Sequence, residues 1–323
     1  VGLLTYTHMT WAGDCIAVKL PRHKGDQAGA RSYPKHCYAN PNDPMVCLFL
    51  RLGLHIACTY KTADSNHNVF VGATTESKFS KWLHTALTSL GTGVVMLIGF
   101  IASLLGTHSF RKGSATYGQS FNGGPTVVAV FHRAGWSLGN VPNRYLFPTI
   151  SGDQLLGRVV CGLPWMQEDF AVLPPHFKTD TEISDTEWET LVPGYQNYPD
   201  CFKPCIPFLV ASVIYHISWC RSKLPAGDPF FTSRLNRDQE LIDRLQPCVI
   251  TGKFFCEDTH MVATGIPENL KNALKTEELI VSMEKMKLQA RQDREELREM
   301  LETEVPEKIV AQLRARLEIN GMV

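Results

Sequence analysis

Alternation of apolar and polar residues at the start of the chain predicts short strands. Residues 1–20 fit two strands around a turn at Ala12-Gly13-Asp14, because "CIAVKL" alternates and is rich in β-branched residues. Pro and Asp turn signals open residues 41–58, which continue as an apolar-periodic helix. A small sheet followed by a helix is therefore expected here.

The next apolar segments indicate helices of different kinds. Residues 66–91 predict a short strand and then an amphipathic helix that carries Phe79, Leu83 and Leu87 on one face. The run at 93–106 is strongly apolar but shorter than the roughly 20 residues that a bilayer requires. We therefore expect a buried helix there rather than a membrane span.

The second half of the chain changes character. Residues 173–195 are acidic and Pro-rich and predict irregular surface, whereas Pro207 to Trp219 form a strongly apolar helical pattern. From about Pro267 helix formers and charges follow a heptad spacing that Pro306 interrupts. This tail predicts a coiled coil for self-association, with a helix packed back onto the body as the alternative.

These patterns predict a mainly α protein with a small β-hairpin or sheet, in the α+β class. The length of 323 residues exceeds one ordinary core and favours two domains with an extension. We expect domains at 1–147 and 148–265, the second an accessory helical domain, and a coiled-coil or helical oligomerisation tail at 266–323.

Net charge is zero over the whole chain but is divided between its halves. Residues 1–150 hold 13 Lys and Arg against 5 Asp and Glu, a net charge of +8, and eight of the eleven His. Residues 151–323 carry −8. A basic half favours a polyanion as partner, and the alternative is an uneven spread of solvated charge.

Two stretches, "LGTHSFRKGSATYG" at 105–118 and "AGWSLGNVPNRYLF" at 134–147, carry the candidate chemistry. His108 and Arg111 are three residues apart, so on a helix with Thr107 as N-cap they share one face near the N-terminus. That end of a helix favours anions, and a guanidinium can bind two phosphate oxygens. Trp136 adds an indole N–H, and Tyr145 adds a hydroxyl.

Other candidate sites are weaker. The basic segment after the first strands places Lys24 at a predicted hairpin tip, from which a lysine can reach into a site, although a solvated loop is the alternative. Cys201 and Cys205 lack a His partner pair, so we expect reduced thiols and no metal. The chain begins at Val1 without a signal peptide, so we expect an intracellular fragment.

The stretches "GTHSFRKGSATY" and "RAGWSLGNVPNRY" resemble the C-terminal catalytic part of eukaryotic tyrosine recombinases, and most of all the Crypton-type transposon enzymes of fungi and oomycetes. The resemblance covers about residues 1–150. It implies a tyrosine recombinase catalytic fold at 1–147, truncated at its N-terminus, and a function in DNA recombination and DNA integration. The region downstream looks like the tail of such domains, with no chemistry assigned.

The resemblance implies a role for each matched residue. Tyr145 would attack a DNA phosphorus to form a 3′-phosphotyrosyl link, assisted by His108 and with charge neutralised by Arg111. Trp136 would donate its indole N–H at a position that His often occupies. Lys24 would protonate the leaving 5′-oxygen.

The lysine assignment has two further candidates, Lys19 and Lys35, because basic hairpins align loosely. We expect five basic residues around the site to contact DNA: Arg22, His23, Lys112, Arg133 and Arg144. No metal, cofactor or nucleotide is required, since the phosphotyrosine bond retains the energy of the cleaved one. The partners implied are double-stranded DNA and further copies of the chain, in the nucleus, and no membrane.

One feature departs from the family pattern. The family uses two arginines, and the first would lie at or just before Val1. No arginine stands in residues 1–18. Either the fragment begins after that arginine or the protein lacks it and is weak or inactive. The alternatives are a type IB topoisomerase-like nicking activity, and a domesticated DNA-binding or scaffold protein that keeps the fold without catalysis.

Overall fold

The computed structural model describes residues 4–20, 32–63, 67–70, 75–90, 99, 104–139, 145–300 and 305–319. The structure is mainly helical, with 56% of residues in helices, and has small antiparallel sheets, which confirms the α+β class. Two compact units divide the chain, Val1–Pro267 and Glu268–Val323. The first unit takes in both segments predicted as separate domains at 1–147 and 148–265.

The first unit begins with a three-stranded antiparallel sheet in the order β1-β2-β3, where β1 is Met9–Ala12, β2 is Cys15–Val18 and β3 is Lys35–Cys37. The turn predicted between the first two strands is confirmed. Gly13 adopts a φ of +74°, which only glycine reaches without strain. The segment that joins β2 to β3 contains the basic residues of the predicted hairpin. Residues 21–31 of this segment lie outside the described residues.

Eight α-helices of eight or more residues lie in the described chain among shorter ones. In chain order the helices are α1 Leu48–Cys58, α2 Thr75–Ser89, α3 Thr107–Gly118, α4 Val127–Ala134, α5 Ile150–Val160, α6 Asp185–Leu191, α7 Ile206–Tyr215, α8 Ile217–Lys223, α9 Arg234–Arg237, α10 Gln239–Leu245, α11 Glu268–Glu299 and α12 Val305–Ile319. The helix predicted in 41–58 is therefore confirmed as α1, and the one predicted within 66–91 as α2. The apolar run at 93–106 lies largely outside the described residues.

Helices α1 and α7 form the centre of the hydrophobic core. Phe49, Leu50 and Ile56 of α1 are fully buried with Leu209 and other apolar residues of α7. The two helices approach closely at Gly53, where a Cβ would come within 2.4 Å of the Leu209 carbonyl oxygen. The small residue at this point lets the two backbones meet.

A second packing centre lies where α5 crosses β3. Arg158 of α5 is fully buried and forms an ion pair with the buried Asp14. Its guanidinium also donates to the carbonyls of Phe170 (2.9 Å) and Val172 (3.1 Å) and lies over the ring of Tyr38. A buried arginine is tolerated only with such a full set of partners, so Arg158 joins the sheet to the second half of the chain.

Two predictions for the second half need correction. Residues 173–195 are not only irregular surface, because they contain the strand β4 (His176–Phe177), helix α6 and the fully buried Leu191. Strand β4 pairs with β5 (Val249–Ile250), and β6 (Phe255–Cys256) pairs with β7 (Met261–Val262). The reason is tertiary, since distant strands and apolar contacts order a segment whose local composition is polar.

The apolar helix predicted from Pro207 to Trp219 is interrupted. His216 takes a φ of −98° and a ψ of 16° and separates α7 from α8. Its imidazole is buried and its Nε2 has no hydrogen-bond partner within the described chain. The apolar side chains of α7, among them Leu209 and Ile214, lie in the hydrophobic core.

The second unit consists of the long helix α11 and the shorter α12. Pro306 occupies the first turn of α12, where proline is tolerated. Apolar side chains of the heptad pattern are exposed, among them Met283, Leu297 and Leu313. Self-association through these helices stays a prediction.

No helix in the part of the chain described by the structure is long and apolar enough to cross a membrane. All ten cysteines are described, and each is a free thiol. Cys201 is exposed, whereas Cys205 is buried.

Candidate functional site

The helix α3 carries the first pair of candidate residues. It begins at Thr107 with Gly106 as its N-cap, so Thr107 is the first helical residue and not the predicted cap. The backbone N–H of Gly106 donates to the Ser109 hydroxyl (3.1 Å). The Ser109 N–H donates to the Gly106 carbonyl (2.9 Å), and glycine has no side chain that could accept from the other N–H groups of the first turn.

His108 and Arg111 lie on one face of α3, as predicted, and both are exposed. Neither side chain makes a hydrogen bond or ion pair within the described residues. Lys112, the next residue, is also exposed. The first two turns of α3 contain no acidic residue, so an anion meets only positive or neutral groups here.

Arg111 lines an open groove of about 300 Å³ between α3, α4 and α5. Arg133 of α4 lies on the same groove, with Val130 and Leu156 as its apolar floor. The groove therefore places two guanidinium groups beside a surface that water can enter.

Arg133 is held within the fold. Its Nη1 donates to the Asp153 carboxylate (2.9 Å), and its Nη2 donates to the carbonyl of His36 (2.9 Å). His36 itself bonds the same carboxylate oxygen through its backbone N–H (2.8 Å) and its Nδ1 (2.9 Å). Arg133 thus joins α4 to α5 and β3, and its expected contact with DNA stays a prediction.

Asp153 is the acceptor around which this cluster forms. Burial by itself would raise the pKa of Asp153, but the hydrogen bonds from His36 and the Arg133 guanidinium outweigh it and hold the pKa below its usual value. The carboxylate therefore stays charged at neutral pH and keeps three elements together.

Lys35, one of the two further lysine candidates, lies beside this cluster. Its Nζ donates to the carbonyl of His132 (3.0 Å) at the end of α4. Burial lowers the pKa of Lys35, Asp153 opposes that shift, and Arg133 adds to it. A lysine with a lowered pKa gives up its proton more readily than an exposed one, which is the property that a general acid requires.

Trp136 lies just beyond the end of α4, after Gly135. Gly135 ends the helix with a φ of +68°, and the Trp136 N–H donates back to the Phe131 carbonyl (2.8 Å). The indole packs edge-on against the Phe131 ring, with 5.5 Å between ring centres. This is a Schellman ending with its hydrophobic contact, so the turn has a local cause.

Tyr145 is 74% exposed and its hydroxyl has no partner within the described residues. The next residue is anchored, because the Nε2 of His132 lies 3.2 Å from the Leu146 carbonyl oxygen. The tyrosine, nine residues after Trp136 in the chain, therefore sits on a segment that is tied to the end of α4.

Four predicted residues lie outside the described residues: Arg22, His23, Lys24 and Arg144. Of the described ones, the structure brings Arg111 and Arg133 to one groove, and it brings Lys35, Arg133 and the Tyr145 segment together through His132. No hydrogen bond among the described residues joins His108 or Arg111 to Tyr145.

Sequence reasoning missed three residues of this cluster: His36, His132 and Asp153. Asp153 lies in the first turn of α5, where an acidic residue is ordinary, so its position alone carries no functional signal. His36 and Asp153 are 117 residues apart, and no local pattern relates them.

No cluster of three or more His, Cys, Asp or Glu suited to a metal ion occurs in the described part of the chain. Compared with models of known protein families, with curated proteins and with solved structures, the chain matches none of them.

Proposed function

We propose that this chain carries the catalytic end of a DNA strand-cleaving and rejoining enzyme of the tyrosine recombinase kind. The observation that carries the proposal is the exposed pair His108 and Arg111 on one face of α3, free of acidic neighbours. A phosphate diester meets there an imidazole, a guanidinium and the N–H groups of a helix start. The exposed hydroxyl of Tyr145 supplies a nucleophile.

In the proposed reaction the Tyr145 oxygen attacks a backbone phosphorus and the bond to the 5′-oxygen breaks. The products are a 3′-phosphotyrosyl link and a free 5′-hydroxyl, and the reverse step rejoins the strand. The tyrosyl proton leaves with help from His108, while Arg111 stabilises the charge that builds on the nonbridging oxygens.

The departing 5′-oxygen needs a proton from a general acid. Lys24 is the first candidate by position in the sequence. Lys35 is favoured by its surroundings. Its pKa is lowered, and its hydrogen bond to the His132 carbonyl puts it beside the element that anchors the Tyr145 segment. The partner of this enzyme would be double-stranded DNA in the nucleus, bound by several copies of the chain.

A second function, a DNA-binding or scaffold protein without catalysis, is favoured by a specific observation. The guanidinium of Arg133, on the same groove as Arg111, is engaged with Asp153. A site with a single free guanidinium could hold a phosphate without stabilising the pentacovalent state enough to break the strand.

A nicked suicide duplex distinguishes the enzyme from the non-catalytic protein, because cleavage near the nick releases a short oligonucleotide and traps the covalent product. We expect a protein–DNA band that survives denaturant, is lost in Tyr145→Phe and persists in Tyr117→Phe, which removes another exposed hydroxyl. The test uses the full chain of 323 residues. Salt-sensitive binding without any covalent band would reject the enzyme and support the scaffold.

A further inference from the structure

An exposed aromatic surface lies beside the candidate site and is used by none of the chemistry above. We define the aromatic surface as Phe79 and Trp82 of α2 with Phe110 of α3, which are 38%, 62% and 56% exposed. The rings of Phe79 and Trp82 are stacked with centres 5.7 Å apart, and Phe79 lies 6.0 Å from Phe110. Three neighbouring exposed aromatics are uncommon on a surface that has no partner.

The aromatic surface is interleaved with positive charge. Lys78 and Lys81 alternate with the two aromatics of α2, and Arg111 and Lys112 follow Phe110 directly. All four cations are exposed. Helices α2 and α3 contain one acidic residue, Glu76, so together they carry a net charge of +3. A partner that suits this surface has flat apolar faces and a negatively charged backbone.

Unpaired DNA has both properties. Its bases stack on aromatic side chains without regard to sequence, and its phosphates pair with Lys and Arg. In a duplex the faces of the bases are already covered by their neighbours, so exposed aromatic rings gain little from double-stranded DNA. The surface therefore favours single strands over duplexes.

We propose that the aromatic surface binds unpaired nucleotides, with bases stacked on Trp82 and Phe110 and phosphates held by the cations beside them. The inference rests on the proposed function, because strand cleavage releases a 5′-hydroxyl end that has to leave its duplex before it joins another. Phe110 and Arg111 are consecutive in α3, so the aromatic surface and the group proposed to hold the cleaved phosphate belong to one helix.

The test measures the binding of the full chain to a fluorescent oligothymidine of about 12 nucleotides and to a duplex of equal length. Trp82→Leu and Phe110→Leu remove the stacking faces, and Tyr60→Leu removes an aromatic that is 59% exposed elsewhere in the same unit. We expect each of the first two variants to bind the single strand about 10-fold more weakly. Duplex affinity should change less than about twofold, and Tyr60→Leu should bind both as the wild type does.

Single-strand affinity that is unchanged in Trp82→Leu and Phe110→Leu, or that falls equally in Tyr60→Leu, would overturn the proposal. So would a loss of self-association in Trp82→Leu, measured by light scattering without DNA, since it would identify the surface as a contact between copies. Unchanged thermal unfolding of the variants excludes misfolding as the cause.

Tyr145→Phe separates this inference from the proposed function. It should bind the single strand as the wild type does, although it forms no covalent product. A wild type that forms no covalent product but shows the aromatic dependence would reject the proposed enzyme and leave the single-strand surface in place.

Discussion

The guanidinium of Arg133 donates to the carboxylate of Asp153 at 2.9 Å, and this pair organises the elements around the candidate site. Both side chains are largely buried, and His36 binds the same carboxylate oxygen. Helices α4 and α5 and strand β3 are thereby joined at one point. The end of α4 in turn contacts Lys35 and the Tyr145 segment, so the pair supports the elements that carry these residues.

Replacing Asp153 tests the importance of this pair for stability. Asp153→Asn keeps the shape but removes the charge, so it leaves the buried Arg133 poorly compensated. We expect the free energy of unfolding at pH 7, measured by urea denaturation, to fall by about 1–3 kcal/mol. Asp200→Asn, which alters an exposed ion pair with Lys203, should cost less than about 0.5 kcal/mol.

The same variant predicts a pH dependence. The pKa of Asp153 is lowered in the folded state, so its contribution is fully present above the unfolded value of about 4 and is lost as the pH falls through the folded value. The difference between the wild type and Asp153→Asn should therefore shrink only below about pH 4. A difference that disappears already at pH 6 would contradict the lowered pKa.

The approach of α5 to β3 predicts a steric limit at Gly157. A Cβ there would lie 2.4 Å from the His36 carbonyl oxygen and 3.0 Å from the Tyr38 ring. We expect Gly157→Ala to lower the free energy of unfolding by about 2–3 kcal/mol. Gly113→Ala is the matched control, because Gly113 is also helical but has no atom within 4 Å of an added Cβ, and it should stabilise the protein by up to about 1 kcal/mol.

We expect the buried His216 to make the stability of the fold sensitive to acid. Burial lowers its pKa from 6.5 to about 4, so the unfolded chain takes up the proton first as the pH falls. The free energy of unfolding should drop by up to about 3 kcal/mol between pH 7 and pH 4 from this residue. His216→Leu should remove that part of the pH dependence, while His84→Leu, at an exposed position, should retain it. Equal pH profiles for the wild type and His216→Leu would show that the imidazole is protonated without cost.

We expect the replacement of Arg111 to change the salt dependence of DNA binding. Each phosphate contact contributes a slope of about −0.9 to the plot of log affinity against log salt concentration. Arg111→Ala should reduce the slope by about one contact, without loss of thermal stability, because the side chain is exposed. Arg237→Ala, an exposed arginine in the second half of the chain, should leave the slope unchanged.

Local patterns predicted the elements that have local causes. The turn at Gly13 follows from a positive φ value that glycine adopts without strain. Helix α1 and the long helix α11 follow from apolar periodicity and from helix-forming composition. The exposed pair on α3 follows from a spacing of three residues in a helix. These features depend on residues that are neighbours in the sequence.

Three predictions failed, and in one of them a distant contact outweighed the local signal. The break at His216 falls within an apolar run that by itself favours one continuous helix. The order in residues 173–195 comes from pairing between β4 and β5, whose residues are more than seventy positions apart. Thr107 was expected as the cap of α3 because threonine is a common N-cap, whereas the backbone of Gly106 takes that position.

The sequence by itself determined the α+β class, the helices α1, α2 and α11, and the face on which His108 and Arg111 lie. Only the tertiary structure decided that Arg133 binds Asp153, that Lys35 meets the end of α4, and that Arg158 is buried against Asp14. The physical reason is that helices and turns arise from hydrogen bonds and side-chain spacing over a few residues. A buried charge, in contrast, is stable only beside partners that the fold brings from distant parts of the chain.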